Sequence, residues 1–332
     1  MELKLGIKDI QVYLPEKVVS NQELVEEFGF DADFLGKKVG IVKRHIASEN
    51  ETVSDMAVKV GRILFHENRD LSPETVNLLV VCTQNSDFKI PHTAAIVQNQ
   101  LGIPSIATFD INLACSGFVY SLAVVLSFME SQGMQNAILI TSEAYSKVIN
   151  KKDRDTMAIF GDAACAVWIG LNCECRPMQY SFGTNGKDYD KLILKDGGSH
   201  IPLHTYIHKK NHSSENSEWL HMDGREIFNF MLKQIPGDTL GCLAKNGMAM
   251  SDIDYFIFHQ ANKFMLDCLC QRLNIPKEKM VYYLRDTGNT VSSSIPIALK
   301  HLMETNKLSG KKVFISGFGA GLSWASTVLK FK

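Results

Sequence analysis

The sequence feature that most constrains the fold is a repeat whose period is about half the chain. Residues 80–85, a helix-like stretch and residues 101–104 (Leu-Gly-Ile-Pro) have a counterpart in residues 257–262, a second helix-like stretch and residues 273–276 (Leu-Asn-Ile-Pro). In both places a short strand-like run, a turn of small residues, a long apolar helix pattern and an apolar strand follow. A repeat of this size in 332 residues predicts two similar halves related by a pseudo-twofold axis.

Strand-like runs rich in β-branched residues alternate with stretches of helical period in each half. We predict strands at 77–83, 107–112, 137–141, 163–169, 255–258, 312–316 and 322–331, and helices at 91–101, 116–129 and 290–303. This alternation is typical of a layered α/β protein with parallel strands. We divide the chain into an N-terminal half, 1–174, and a C-terminal half, 175–332. The polar stretch 195–217 is predicted to be a surface loop.

The composition excludes several classes of protein. With 45% hydrophobic and 21% charged residues and a net charge of -1, the chain resembles an ordinary soluble globular protein. Such a balance provides no general field for nucleic acid or an anionic membrane, and no apolar run is long enough to span a bilayer. The N-terminus lacks the apolar core of a signal peptide, and the eight cysteines lie in apolar segments. We therefore expect reduced thiols, a cytoplasmic location, and neither nucleic-acid nor membrane partners.

Cys115 stands between a predicted strand and a predicted helix. Open parallel sheets bind ligands beyond the carboxyl ends of their strands, so we expect the site where the two halves meet. A thiol at a helix N-terminus lies near the positive end of the helix dipole, which favours the nucleophilic thiolate. The alternative is that Cys115 is a buried cysteine that behaves as a small hydrophobic residue.

Two polar residues of the second half also lie at strand ends or helix starts. His259 follows the strand 255–258, where an imidazole can exchange a proton near neutral pH and Asn262 or a backbone group could orient its ring. Asn289 precedes a helix, where its amide could donate a hydrogen bond to a developing oxyanion. The alternatives are a structural histidine and a helix N-cap, since Asn is a preferred capping residue.

The glycine-rich turn at residues 317–321 does not have the spacing of a nucleotide-binding loop, and a strand follows it. Its glycines instead suit a close backbone approach that could aim an N–H at a bound carbonyl. The pairs Cys173/Cys175 and Cys268/Cys270 lack the spacing of zinc ligands. His204, His208 and His212 are spaced four residues apart in the loop 195–217, but this polar segment does not favour the helix that would align them as metal ligands. We therefore predict neither a metal nor another cofactor.

Together these segments resemble the β-ketoacyl-acyl carrier protein synthase III family of the thiolase-like superfamily. The resemblance covers nearly the whole chain and rests on five motifs in order, at residues 40–47, 114–118 with 160–164, 259–262, 288–299 and 317–324. It implies a thiolase-like fold layered α/β/α/β/α and a transferase that acts as a condensing enzyme in fatty-acid or other lipid biosynthesis.

The resemblance also implies roles for individual residues. Cys115 would take an acyl group from an acyl-CoA primer as a thioester. His259 and Asn289 would hold the carbonyl of a malonyl thioester, carried by acyl carrier protein or CoA, while it loses carbon dioxide. The backbone N–H groups of Cys115 and Ala320 would form the oxyanion hole. Family members are usually homodimers, so a homodimer is expected.

Several positions depart from the family pattern. The CoA-binding positions that match here are Phe34, Lys38 and Arg154, where Phe replaces a tryptophan and Lys replaces an arginine. The acyl-pocket positions are Ile90, which would come from a partner subunit, together with Tyr145 and Phe160. Basic residues that dock the carrier protein are replaced by Asn229, Phe264 and Gln271, although Lys263 and Arg272 lie beside two of them.

Two other functions remain compatible with these residues. The acyl group on Cys115 could pass to an alcohol or an amine, which forms an ester or an amide without release of carbon dioxide. A non-catalytic homologue that binds acyl chains is the third possibility. The altered carrier surface also leaves open whether the pathway is primary fatty-acid initiation or a specialised one.

Overall fold

The computed structural model describes residues 5–202, 218–306 and 308–332. The strands are β1 (Gly6–Tyr13), β2 (Lys17–Ser20), β3 (Lys43–Ile46), β4 (Leu78–Cys82), β5 (Ala107–Ile111), β6 (Asn136–Glu143), β7 (Ala163–Gly170), β8 (Cys175–Pro177), β9 (Ser181–Thr184), β10 (Leu192–Ile193), β11 (His221–Met222), β12 (Tyr255–Phe258), β13 (Lys312–Gly319) and β14 (Ser323–Phe331). The α-helices are α1 (Asn21–Phe28), α2 (Val53–Glu67), α3 (Thr93–Gln100), α4 (Gly117–Gln132), α5 (Arg154–Met157), α6 (Gly224–Lys245), α7 (Lys263–Arg272) and α8 (Ser294–Thr305). A π-helical segment spans Phe34–Val39.

The main sheet is made of two stretches of strands, and four strands of each stretch follow the same order. Its strands run β5-β4-β6-β7-β1 and then β8-β14-β13-β12, joined where Ile7 of β1 pairs with Cys175 of β8. In the first stretch β4 is parallel to β5 and β6, whereas β6–β7 and β7–β1 are antiparallel. In the second, β12–β13 is parallel, and β13–β14 and β14–β8 are antiparallel. The order β4-β6-β7-β1 of the first half therefore recurs as β12-β13-β14-β8 in the second, as expected for duplicated halves, whereas β5 has no counterpart among the described strands.

The helices form three layers around these strands. Alternate residues of each strand face opposite sides, so Leu78 and Val80 of β4 pack with the apolar face of α4, while Leu79 and Val81 pack with α2 and α3. In the second half Ile257 of β12 lies in the same central cluster as α4 and α8, whereas its flanking phenylalanines pack with α6 and α7. The central layer of α4 and α8 is therefore shared, which gives the layering α/β/α/β/α.

The sequence-based element boundaries agree with the structure to within a few residues. The largest difference is the helix predicted at 290–303, which begins instead as a 3-10 turn, Val291–Ser293, and becomes α8 only at Ser294. Val291 has a left-handed φ of 53°, which is uncommon for a β-branched residue and delays the regular helix. The predicted loop 195–217 is described only as far as residue 202, and the division of the chain at residue 174 stays a prediction.

Candidate active site

Cys115 lies in the connection between β5 and α4. It is followed by Ser116, which stands immediately before the first residue of α4, so the thiol does lie at a helix N-terminus as predicted. Cys115 is buried, and burial together with the nearby carboxyl of Glu143 raises the pKa of its thiol above the usual range. Desolvation of the anion therefore favours the protonated thiol, which differs from the preference for thiolate that we expected.

The last residues of β13, immediately before the turn to β14, pack directly on Cys115. A Cβ atom on Gly319 would lie 2.9 Å from the Sγ atom of Cys115, and one on Gly317 would lie 2.5 Å from its carbonyl oxygen. Only glycine allows the backbone to approach so closely at these two positions. The close approach predicted from the glycine-rich sequence is thus observed, and it brings Ala320 beside the thiol-bearing segment.

His259 is buried at the carboxyl end of β12, where its backbone N–H donates to the carbonyl oxygen of Ser316. Its Nδ1 atom lies 2.7 Å from the Oγ atom of Ser294, and burial lowers its pKa to about 3, so the ring is neutral. From the sequence we considered Asn262 as a residue that could orient the ring. It does not do so, because its side chain caps α7 by accepting a hydrogen bond from the N–H of Met265. The orienting residue is Ser294.

Asn289 is buried just before the 3-10 turn that precedes α8. Its Oδ1 atom accepts a hydrogen bond from the backbone N–H of Val291 at 2.9 Å, and its own backbone is held by Ile159 and Gly161. The side chain therefore caps the 3-10 turn that leads into α8, so the capping alternative is met at this turn and not at α8 itself. With Oδ1 occupied, the Nδ2 group is the part of the amide left to donate to another molecule.

Packing brings these three side chains into one region. The ring of His259 packs edge-on against Phe318, with ring centroids 5.8 Å apart, and Phe318 stands between the two glycines that contact Cys115. Asn289 forms a parallel backbone bridge with Phe160, whose side chain belongs to the same buried apolar cluster as Cys115. His259 therefore contacts the strand end that packs on Cys115, and Asn289 is joined through its backbone to a residue of the same buried cluster as Cys115.

Sequence reasoning missed Glu143, a fully buried carboxyl group at the end of β6. It accepts hydrogen bonds from the backbone N–H of Gln84 at 3.1 Å and from the hydroxyl of Ser292 at 2.8 Å. Burial raises its pKa to about 8, so it is mostly protonated at neutral pH. Its place at the carboxyl end of a predicted parallel strand was the signal that could have found it.

Known proteins are similar to this chain in both sequence and fold. Family models described as 3-oxoacyl-[acyl-carrier-protein (ACP)] synthase III and its C-terminal part match residues 109–186 and 243–331. A beta-ketoacyl-[acyl-carrier-protein] synthase III of Caldanaerobacter subterraneus subsp. tengcongensis is 34% identical over 99% of this chain and 98% of its own. The chain belongs to the 3-oxoacyl-[acyl-carrier-protein] synthase III family.

Solved structures of the synthase III family have the same fold. A crystal structure of a 3-oxoacyl-(acyl-carrier-protein) synthase III superposes with a TM-score of 0.92 at 33% identity, covering 98% of this chain and 99% of that one. The priming β-ketosynthase of the R1128 polyketide biosynthetic pathway superposes with a TM-score of 0.88 at 27% identity, covering 98% and 96%. The predicted thiolase-like α/β fold and the predicted class of enzyme, an acyl-transferring condensing enzyme, are both confirmed.

The three positions matched to CoA binding lie on or beside the π-helical segment. Phe34 is about half exposed at its start. The Nζ atom of Lys38 lies 4.9 Å from the centre of the Phe264 ring, and the guanidinium of Arg154 lies 4.8 Å from that of Phe30. Each of the two cations thus lies over an aromatic ring, and the role of the three residues in CoA binding stays a prediction.

The positions matched to the acyl pocket fall into two groups. Tyr145 and Phe160 are buried with ring centroids 5.1 Å apart, and the hydroxyl of Tyr145 donates to the side-chain oxygen of Gln84. Tyr145 and Ala320 line a cavity of about 860 Å³. Ile90, by contrast, is 88% exposed and does not line that cavity in this chain.

The substituted carrier-docking positions lie on α6 and α7. Phe264 is partly exposed and stacks on Phe228 with ring centroids 5.3 Å apart, whereas the neighbouring Lys263 is paired with Asp267. Asn229, Gln271 and Arg272 lie on the same two helices. Aromatic surface therefore stands where the family pattern has a cation.

Two further observations concern metals and membranes. Residues 5–202, 218–306 and 308–332 contain no group of three potential metal ligands, and His204, His208 and His212 lie outside these ranges. Among the helices that the structure describes, none is long and apolar enough to cross a membrane.

Proposed function

We propose that Cys115 takes an acyl group from an acyl-CoA and that the chain then condenses this group with a malonyl thioester. In the first step the sulfur of Cys115 attacks the acyl carbon, the thioester bond to CoA breaks, and the thiol proton leaves with the CoA sulfur. In the second step the malonyl carboxylate leaves as carbon dioxide, and the resulting enolate carbon attacks the acyl group. The products are a 3-oxoacyl thioester, carbon dioxide and, after uptake of one proton, the free Cys115 thiol.

The single observation that carries this proposal is the orientation of the two polar side chains beside Cys115. Ser294 holds the Nδ1 side of His259, and Val291 holds the oxygen side of Asn289. Nε2 of the neutral His259 ring and Nδ2 of Asn289 are the groups left to face a substrate, and we propose that both donate to one carbonyl oxygen. Two buried donors aimed at a developing enolate oxygen are what decarboxylation of a malonyl thioester requires.

The acyl transfers at Cys115 pass through tetrahedral intermediates with a negatively charged oxygen. Within the described residues, neither the backbone N–H of Cys115 nor that of Ala320 donates a hydrogen bond to another residue. Gly319 brings the two segments together at Cys115. Both N–H groups are therefore free to act as the oxyanion hole.

Binding of the substrates follows from the exposed residues at the π-helical segment. Phe34 and Arg154 would flank the adenine of CoA, and Lys38 would pair with its phosphates. Lysine keeps the positive charge but lacks the bidentate fork of arginine, so this CoA contact is expected to be weaker than with arginine. The malonyl unit would arrive on acyl carrier protein or on CoA, and the aromatic surface at Phe264 favours a carrier that docks less by charge.

A homodimer is part of the same proposal. Phe88 is 60% exposed and Ile90 88% exposed, on a loop whose residues 84–89 line the cavity shared with Tyr145. Large apolar side chains exposed together on one loop mark an interaction surface, and a second copy of the chain would bury both. Sedimentation should show a dimer that Ile90→Asp weakens, and a monomeric wild-type protein would refute it. The cytoplasmic location stays a prediction.

The test of the catalytic proposal is intact-protein mass spectrometry after incubation with a panel of acyl-CoAs. Wild type and Cys268→Ala, which removes a partly exposed cysteine, should gain the mass of one acyl group, whereas Cys115→Ala should not. Addition of malonyl-CoA or malonyl-acyl carrier protein should then release one carbon dioxide per 3-oxoacyl product. An acyl group that passes to an alcohol or amine without carbon dioxide would establish the alternative transferase, and absence of any adduct would favour a non-catalytic homologue.

A further inference from the structure

A chain of buried hydrogen bonds connects the residue after the nucleophile to the turn that carries Ala320. The Oγ atoms of Ser116 and Ser323, 207 residues apart in sequence, are 2.8 Å from each other. Ser323 also lies 2.8 Å from the carbonyl oxygen of Ala320. Both serines are almost completely buried.

The direction of these hydrogen bonds is fixed by the number of hydrogens available. A carbonyl oxygen can only accept, so the hydroxyl of Ser323 donates its single hydrogen to Ala320. Ser116 must then donate its own hydrogen to the Oγ atom of Ser323. The donated hydrogens therefore all point in one direction, from Ser116 through Ser323 to Ala320.

This connection crosses the boundary between the two halves of the molecule. Cys115 and Ser116 belong to the segment before α4, whereas Ala320 lies in the turn between β13 and β14 and Ser323 is the first residue of β14. A Cβ atom on Gly319 would lie 2.9 Å from the Cys115 sulfur, so the two segments are closely packed there. The serine pair adds a hydrogen bond between the same two segments.

We propose that Ser116 and Ser323 are positioning residues that keep the N–H groups of Cys115 and Ala320 converging on one oxyanion. This inference rests on the proposed function, in which those two N–H groups stabilise the tetrahedral intermediates of acyl transfer. Neither serine touches the substrate. Their effect is on the geometry of two donors supplied by different halves, and a small change in donor position weakens an oxyanion contact strongly.

The experiment compares two reactions of the same sulfur. Acylation of Cys115 by acetyl-CoA, followed in single-turnover mixing, needs the oxyanion hole. Alkylation by iodoacetamide is a displacement at saturated carbon, so it does not need the oxyanion hole. The variants are Ser323→Ala, Ser116→Ala from the other side of the pair, and Ser323→Thr, which keeps a hydroxyl group.

A matched control is available in a second buried hydroxyl pair that also joins the two halves. Thr141 and Ser293 lie 2.8 Å apart, and neither contacts the turn of Ala320. Thr141→Val removes a hydrogen bond of the same kind while preserving side-chain shape. It should acylate and alkylate at wild-type rates.

The expected result is that Ser323→Ala and Ser116→Ala acylate about tenfold or more slowly, with an unchanged KM for acetyl-CoA and alkylation within about twofold of wild type. Ser323→Thr should restore most of the acylation rate. Equal rates in wild type and both alanine variants would overturn the inference, as would acylation and alkylation that fall by the same factor. A wild-type protein that acetyl-CoA and longer acyl-CoAs fail to acylate would instead overturn the proposed function itself.

Discussion

The Nδ1 atom of His259 and the Oγ atom of Ser294 are 2.7 Å apart. Ser294 therefore occupies the Nδ1 side of the imidazole and leaves the Nε2 side to face a substrate. The Ser294 oxygen also lies 3.4 Å from the backbone N–H of Gln260, which can only donate. The proposed function needs the tautomer in which the serine donates its hydrogen to Nδ1 and the proton of the neutral ring resides on Nε2. A ring in this form donates a hydrogen bond and carries no charge.

Removal of the Ser294 hydroxyl should slow condensation without affecting loading of Cys115. In Ser294→Ala the ring loses the partner that fixes its tautomer, so we expect the rate of carbon dioxide release to fall about tenfold or more. Ser294→Thr should recover activity because it keeps the hydroxyl. Parallel assays of acyl-enzyme formation and carbon dioxide release measure both steps. If the alanine variant loses both equally, Ser294 has a general structural role instead.

The pH dependence of decarboxylation should show no ionisation of His259 near neutrality. Burial lowers the pKa of this ring from 6.5 to about 3, so it stays neutral between pH 5 and 8 in the folded protein. The rate of carbon dioxide release from preformed acyl-enzyme, measured across this range, should therefore lack a step near pH 6.5. A step at that pH which disappears in His259→Gln would show that the ring is protonated at neutral pH.

Replacement of Glu143 by glutamine should make Cys115 more reactive at alkaline pH. Above about pH 8 the carboxylate of Glu143 is charged and raises the pKa of the Cys115 thiol by repulsion. Glutamine removes the charge and can keep the hydrogen bonds to Gln84 and Ser292. At pH 9 the rate of alkylation by iodoacetamide should rise severalfold in Glu143→Gln, whereas at pH 6 the two proteins should differ little. Identical profiles would show that the carboxyl has no electrostatic effect on the thiol.

The same carboxyl group should make the folded protein less stable as the pH rises. The folded-state pKa of Glu143 is raised from 4.5 to about 8, so between these values the folded protein binds a proton that the unfolded chain releases. The free energy of unfolding should fall through this range, by about 1.4 kcal/mol per pH unit for this one group. Urea denaturation of wild type and Glu143→Gln at pH 5 and pH 7.5 isolates this contribution. Parallel stability profiles would show that Glu143 is ionised when folded.

A methyl group on Gly319 should block acyl transfer. Its Cβ atom would lie 2.9 Å from the Cys115 sulfur, so Gly319→Ala displaces either the turn or the thiol, and we expect acylation to fall about 100-fold. The control is Gly237→Ala within α6, where a Cβ atom would meet nothing within 4 Å. That variant should keep the wild-type rate and gain about 0.5–1 kcal/mol of stability. Wild-type acylation in Gly319→Ala would show that the close contact is not required.

The arrangement of Cys115, Ser116 and the following helix shows how far local pattern reaches. The predicted strand at 107–112 and helix at 116–129 correspond to Ala107–Ile111 and Gly117–Gln132, because periodicity and flanking turn residues act over a few neighbours. The glycines of the 317–321 turn likewise indicated a close approach. Their partner, Cys115, was named from its helix-terminal position and from resemblance to a family, while their contact came only from the folded chain.

The left-handed backbone of Val291 marks where local pattern fails. Sequence placed a helix over 290–303, but the N–H of Val291 bonds to the side chain of Asn289, and the regular helix begins only at Ser294. A valine seldom adopts positive φ, so nothing local predicts it, and only the surrounding packing holds it. Ser294, the first residue of α8, is the residue whose Oγ atom lies 2.7 Å from Nδ1 of His259.

The sequence by itself determined the two repeated α/β halves, the strand ends at which chemistry is placed, and the types of side chain found there. Tertiary structure alone decided that Ser294 rather than Asn262 orients His259, that burial keeps the Cys115 thiol protonated, and that Ser116 meets Ser323. The physical reason is range. Backbone periodicity and turn chemistry depend on adjacent residues, whereas hydrogen-bond partners and desolvation depend on which distant segments the core brings together.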